Sequence, residues 1–157
     1  MRGNNLNKIP GTAQEIAGLS HIMDGDYYYG SSATEKHFKQ AAPDYSILHL
    51  ALHGEVDYED SDNSKLYFSG SQSDSLQDEI LYPFELYNMN LNADLAVLSA
   101  CETGAGKISN GGGVMSLGRA FQYAGVSSLL LSQWEVSDPV SPVIMASFYE
   151  NLKAGKD

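Results

Sequence analysis

The chain is poor in the residues that staple, anchor or positively charge a fold. It holds one cysteine, Cys101, in 157 residues. No disulfide can form within it, so it carries no mark of an oxidising compartment. Basic residues are few: 9 Lys and Arg stand against 20 Asp and Glu, a formal net charge of −11. Nucleic acid is held by a basic face, so this balance argues against a nucleic-acid partner. It suits a basic substrate or partner, although a solvated acidic surface is the commoner reason for such a composition. No apolar run approaches the roughly 18 residues of a bilayer span, which argues against a membrane partner. The opening MRGNNLNKIPG lacks the apolar segment of a secretory signal. The expected compartment is therefore the cytoplasm.

What is present is enough for one domain with a real core. Hydrophobic residues make up 43% and charged residues 18%, a globular composition. TAQEIAG, from Thr12, predicts a short helix with Thr12 as N-cap and Glu15 in the capping-box position. A short aromatic strand is expected at DYYYG, then a helix from near Ala33 to before Pro43. YSILHLALHG is the first clear strand, apolar on both faces as an interior strand should be. KLYFSG predicts a hairpin strand, PFELYNMNL a short helix and ADLAVLSAC the second clear strand. In VMSLGRAFQYAG, Val114, Leu117, Phe121 and Ala124 recur at helical spacing, with Gly125 at the C′ position. SSLLLSQW is the third clear strand. The run from Asp138 to Ala154 predicts a final helix with Ile144, Phe148 and Leu152 on its apolar stripe.

Strands and helices alternate, which predicts an α/β domain with a mainly parallel central sheet. Ligands and chemistry gather at the carboxyl ends of such strands. His53 and Gly54 end the first clear strand, Cys101 the second, and Trp134 with Glu135 the third. A thiol at a strand end becomes a nucleophile when a base favours its thiolate, and His53 is the candidate base. The N–H groups of Gly54 and Cys101 are candidate oxyanion donors. The bland alternatives are a buried apolar cysteine and a hydrogen-bonded core histidine. His49, in mid-strand, fits the second of these.

HLALHGE, VLSACETGAG, GGGVMSLGRAFQYAGVSSLLLSQWEVSD and IPGTAQEI together resemble the CHAT domain family, relatives of caspases and separases. His53 precedes Cys101 by 48 positions and a small residue precedes the cysteine. Caspases share that order, with about 50 residues between the two. The resemblance runs from about Ile9 to Leu152. It implies a caspase-like α/β/α sandwich and a cysteine endopeptidase with His53 and Cys101 as its dyad. It also implies protein substrates and tetratricopeptide repeats as neighbours or partners, with no metal or organic cofactor in the reaction. On this resemblance residues 1–157 form a single CHAT domain, expected to be a piece of a longer protein. A catalytically silent interaction module with the same fold is the alternative.

Other readings fit less well. His49 and His53 would lie roughly 13 Å apart along a strand, too far for one metal ion. CETGAGKI lacks the first glycine and the final Ser or Thr of a phosphate loop, which argues against a nucleotide. The glycines at 111–113 either ease entry into the helix or let the loop rearrange on activation. The polar stretch 55–80 and the loop 104–113 are expected to be more mobile than the strands, and the isolated chain to be weakly active. For specificity, the chain has two arginines, Arg2 in a loose terminus and Arg119 off the apolar stripe. Neither is placed to hold an aspartate side chain bidentately. SQWEVSD resembles the separase-type strand end that lines the specificity pocket; on that resemblance Trp134 offers a wall, while Glu135 and Asp138 offer negative charge, so the expected pocket takes Lys or Arg. Asp138 is alternatively the N-cap of the last helix.

Overall fold

A computed structural model of the chain describes residues 10–57, 60–70, 79–99, 101–102, 113–132 and 140–156. Its elements are α1 (Pro10–Leu19), α2 (Glu35–Ala41), β1 (Ile47–Leu50), β2 (His53–Glu55), β3 (Lys65–Tyr67), β4 (Ile80–Leu81), α3 (Pro83–Leu86), β5 (Leu95–Leu98), β6 (Cys101–Glu102), α4 (Gly113–Tyr123), β7 (Ser128–Leu131) and α5 (Ser141–Lys153). They fall into two compact units, Tyr28–Val136 and the pair Met1–Tyr27 with Ser137–Asp157.

The larger unit contains the three clear strands. They form a parallel sheet in the order β1-β5-β7, with Leu50 in register with Leu98 and Leu98 with Leu131. The central strand carries Ala96, Val97 and Leu98, all buried. Burial on both faces is what a central parallel strand requires. Leu117, Ala120 and Phe121 of α4 and Ala124 just after it join Leu48, Ala96 and Leu98 in one apolar cluster. Helix α4 approaches β7 closely: a Cβ at Gly118 would lie 3.3 Å from methyl carbons of both Leu129 and Leu131. Arg119 is exposed, as its place off the stripe predicts.

Helix α4 ends as its sequence predicts. Gly125 has φ +107°, a conformation that costs a side chain. The Val126 N–H donates to the Phe121 carbonyl at 3.0 Å, and the Gly125 N–H to that of Gln122 at 3.0 Å. These two bonds are the Schellman pattern. Helix α2 begins at Glu35, with the Thr34 Oγ1 accepting the His37 N–H at 3.2 Å.

A second, mixed sheet has the order β4-β3-β2-β6, antiparallel except for the β2–β6 pair. Periodicity predicts one strand over residues 45–54; the structure breaks it at Ala51 and Leu52 into β1 and β2. The partner strand is likewise split into β5 and β6. Between the Leu50–Leu98 pair and the Gly54–Cys101 pair, the first chain segment has one residue more than the second. An extra residue on one strand is a bulge, which bends the strand and re-aims the residues beyond it. The helices and the parallel sheet make this an α/β fold, broadly consistent with a caspase-like arrangement.

In the smaller unit, α1 packs on α5. Helix α1 begins at Pro10, so Thr12 is a helical residue rather than the cap; proline suits a first turn because its missing N–H would be unpaired there. The buried Glu15 carboxylate accepts a hydrogen bond from the Ser141 Oγ at 2.6 Å. The Lys153 ammonium donates to the Ile22 carbonyl at 2.6 Å, tying α5 to the turn that follows α1. Burial, and then the Glu15 charge, push the Tyr149 phenol far above its ordinary range. The buried positions of α5 are Met145 and Tyr149. Ile144, expected on the buried stripe, is 50% exposed and Leu152 is exposed as well. Val140 takes the N-cap position of α5, and Asp138 lies outside the described residues. The expected aromatic strand at residues 26–29 does not form. No helix among the described residues is long and apolar enough to cross a membrane.

Candidate active site

The strand ends come first. At the carboxyl end of the parallel sheet, the Ser99 N–H donates to the Leu50 carbonyl at 3.0 Å, extending the ladder one step past β5. The Ser132 Oγ donates to the Ser99 carbonyl at 3.5 Å, joining the end of β7 to the end of β5. Ser99 is buried, so these bonds replace water for its backbone. The rim from which β2 and β6 emerge is thus tied across all three strands.

Beyond that rim β2 pairs with β6 in parallel, Gly54 in register with Cys101 and Glu55 with Glu102. Had the register of β1 and β5 continued unbroken, His53 would stand opposite Cys101. The bulge puts Gly54 there instead, so the position facing the cysteine on the neighbouring strand carries no side chain. Gly54 is buried and His53 partly buried. The side chains of Cys101 and Glu102 lie outside the described part of the molecule, as do Trp134, Glu135 and Asp138 and the segments 103–112 and 133–139.

On its other edge β2 pairs antiparallel with β3, His53 opposite Tyr67 and Glu55 opposite Lys65. Directly opposed residues project to the same side of a sheet, and so do residues two apart on one strand. His53, Glu55, Lys65 and Tyr67 therefore share one face. The Tyr67 Oη donates to Glu55 Oε2 at 2.6 Å, and the Lys65 Nζ lies 3.3 Å from the same oxygen. Lys65 also stands over the Tyr67 ring, 5.8 Å from its centroid. The Tyr67 hydrogen bond lowers the Glu55 carboxyl from its ordinary value; burial opposes it, and Lys65 adds to the lowering. Burial raises the Tyr67 phenol and the Glu55 charge raises it further. For Lys65 burial works against the charge, but its contacts with Tyr67 and Glu55 outweigh it and raise the ammonium.

Sequence reasoning singled out His53, Gly54 and Cys101 and missed Glu55, Lys65 and Tyr67. The signal was there in part: HGE and KLY are both short alternating runs, and residues 56–64 suffice to turn the chain back. His49 lies in β1 in register with Val97, in a different sheet from His53. Among the described residues no group of three or more His, Cys, Asp or Glu is arranged to hold a metal.

No curated protein is similar enough to the chain to count as a match. The family model of the CHAT domain matches residues 1–157, the whole chain. The strand order, the pairing of Gly54 and Glu55 with Cys101 and Glu102 on neighbouring strands, and this full-length match agree, and the chain belongs to the CHAT family of caspase- and separase-like cysteine peptidases.

Proposed function

We propose that the chain is the catalytic domain of a cysteine endopeptidase, with Cys101 as nucleophile and His53 as general base. The observation that carries this reading is the β2–β6 pairing, in which the residue after His53 is in register with Cys101, within a CHAT domain. In the proposed reaction the Cys101 thiol gives its proton to the His53 imidazole, and the thiolate adds to the scissile carbonyl carbon. The carbonyl oxygen gains the negative charge, and the N–H groups of Gly54 and Cys101 hold it. The C–N bond then breaks, and the imidazolium gives its proton to the departing amine. A thioester remains on Cys101. Water loses a proton to His53 and attacks the thioester; the thiolate leaves and takes that proton back. One peptide bond and one water become a carboxylic acid and an amine. No metal or organic cofactor enters this scheme.

The proposed substrate is a protein cut after Lys or Arg. Trp134, Glu135 and Asp138 come after β7 in the sequence and supply an aromatic wall and two carboxylates for a basic side chain. The scarcity of arginine supports the same preference. We further propose that the domain works in the cytoplasm within a longer polypeptide, beside tetratricopeptide repeats in the same or a partner chain. Profiling the full-length protein on a peptide library tests the specificity. Cleavage after Lys or Arg is expected, and a preference for Asp at that position would overturn it. A peptide-like electrophile that fails to label Cys101 would favour the catalytically silent interaction module.

A further inference from the structure

We propose that Phe84, Tyr87 and Tyr123 form a docking face for a second copy of this chain, and that two copies pair weakly through it, aromatic patch against aromatic patch. Helix α3 is apolar on more than one side. Pro83 and Leu86 are buried, yet Phe84 is 55% and Tyr87 40% exposed. At the end of α4, Ala120 and Phe121 are buried while Tyr123 is 77% exposed. The two helices pack together, and their exposed rings meet. Tyr87 and Tyr123 lie edge to face with centroids 5.4 Å apart, and Phe84 stacks on Tyr82 at 5.5 Å. Phe84 and Tyr87 are three positions apart on helical backbone, so they are neighbours on one face. The rings are therefore a continuous patch rather than scattered surface residues. A helix that is apolar all round is one that something covers.

The occupant follows from charge and area. Residues 82–93 and 117–127, which build the patch, hold one carboxylate, Glu85, and one guanidinium, Arg119, in a chain of net charge −11. Glu85 is itself engaged: one oxygen accepts the Tyr82 N–H at 2.9 Å and the other the Lys39 ammonium at 2.6 Å. A cationic segment finds no net negative charge in these residues to hold it. Two copies of a chain this acidic repel each other, and a neutral aromatic face is where they can touch. Aromatic edges and faces are complementary to one another, so the same patch serves both copies, as a two-fold contact requires. At about 200 Å² per ring, the three exposures leave about 350 Å² of aromatic surface on each copy. Pairing hides about twice that, short of the roughly 1,200 Å² of the smallest stable complexes. The contact is therefore weak, with a dissociation constant in the micromolar to millimolar range.

The test is sedimentation equilibrium of the whole chain over that concentration range at low and high salt, with thermal melts to show that each variant folds. Self-association is expected, and it should tighten as salt rises, because screening relieves the repulsion while the ring contacts remain. Attraction between a cationic and an acidic surface would weaken instead. Tyr123→Ser and, independently, Phe84→Ser should each loosen the pair by about tenfold or more, because every substitution acts twice in a two-fold contact. Ile144→Ser, at an exposed apolar position on α5, should leave it unchanged. The proposal is overturned by a chain that stays monomeric throughout, by association that weakens with salt or survives both ring substitutions, or by its loss in Ile144→Ser alone. A monomer whose Tyr87 and Tyr123 NMR signals shift with an oligoarginine or a proline-rich peptide would overturn it too, and would make that peptide the occupant.

Discussion

Glu55 shows how one exposed side chain acquires a definite role from its neighbours. Its side chain is 60% exposed, so its contact with Lys65 is worth little as a surface ion pair. The Tyr67 hydrogen bond makes it more than that, and it lowers the carboxyl's pKa. A carboxyl lowered on folding contributes stability that is fully present above its unfolded pKa, and that stability is lost as the pH falls through the folded value. Wild type should therefore melt slightly above Glu55→Gln at pH 6. The gap should narrow below about pH 4.3 and close in stronger acid. A gap that is constant from pH 6 to pH 3 would contradict this. At this scale the sequence made His53, Gly54 and Cys101 legible, because each lies within a short local motif. Tyr67 was not legible as the neighbour of His53. That pairing depends on the antiparallel register of β2 and β3, which no local pattern records.

The elements were legible where one face is strongly apolar and the ends are punctuated. Helix α4 is such a case: Leu117, Phe121 and Ala124 are buried, and Gly125 closes it. Gly125→Ala should destabilise the chain by about 1–2 kcal/mol, because an L-residue there must adopt a positive φ. The new methyl would also lie 3.1 Å from the Asn92 backbone nitrogen. A thermal melt checks it; an unchanged midpoint would contradict the Schellman assignment. Helix α5 was misread by one position. Ile144 and Leu152 look more apolar than Tyr149, yet Tyr149 is buried and they are exposed. Burial there is set by packing against α1, whose facing residues the sequence does not announce. The break between β1 and β2 was hidden for a similar reason: ALHG continues the apolar alternation, and the extra residue appears only when the strand is paired with β5 and β6.

At the scale of the molecule, the net charge of −11 and the scarcity of arginine support the proposed preference for a basic substrate. Attraction between an acidic surface and a cationic peptide is long-range and falls with ionic strength. A peptide-like electrophile ending in arginine should label Cys101 faster than one ending in aspartate, and the difference should shrink as salt is raised. Equal rates at low salt would contradict the basic preference while leaving the dyad untouched. The dyad itself is tested most directly by one comparison of wild type with His53→Ala. Labelling by the arginine electrophile is a single covalent event, so it reads the thiolate even where turnover is slow. Wild type should acquire one label, on Cys101, and His53→Ala should label at least about 100-fold more slowly, the loss typical of removing a general base. A small neutral thiol reagent, which needs only an accessible cysteine, should react with both chains at rates much closer together. Equal labelling of the two chains by the arginine electrophile would contradict the account.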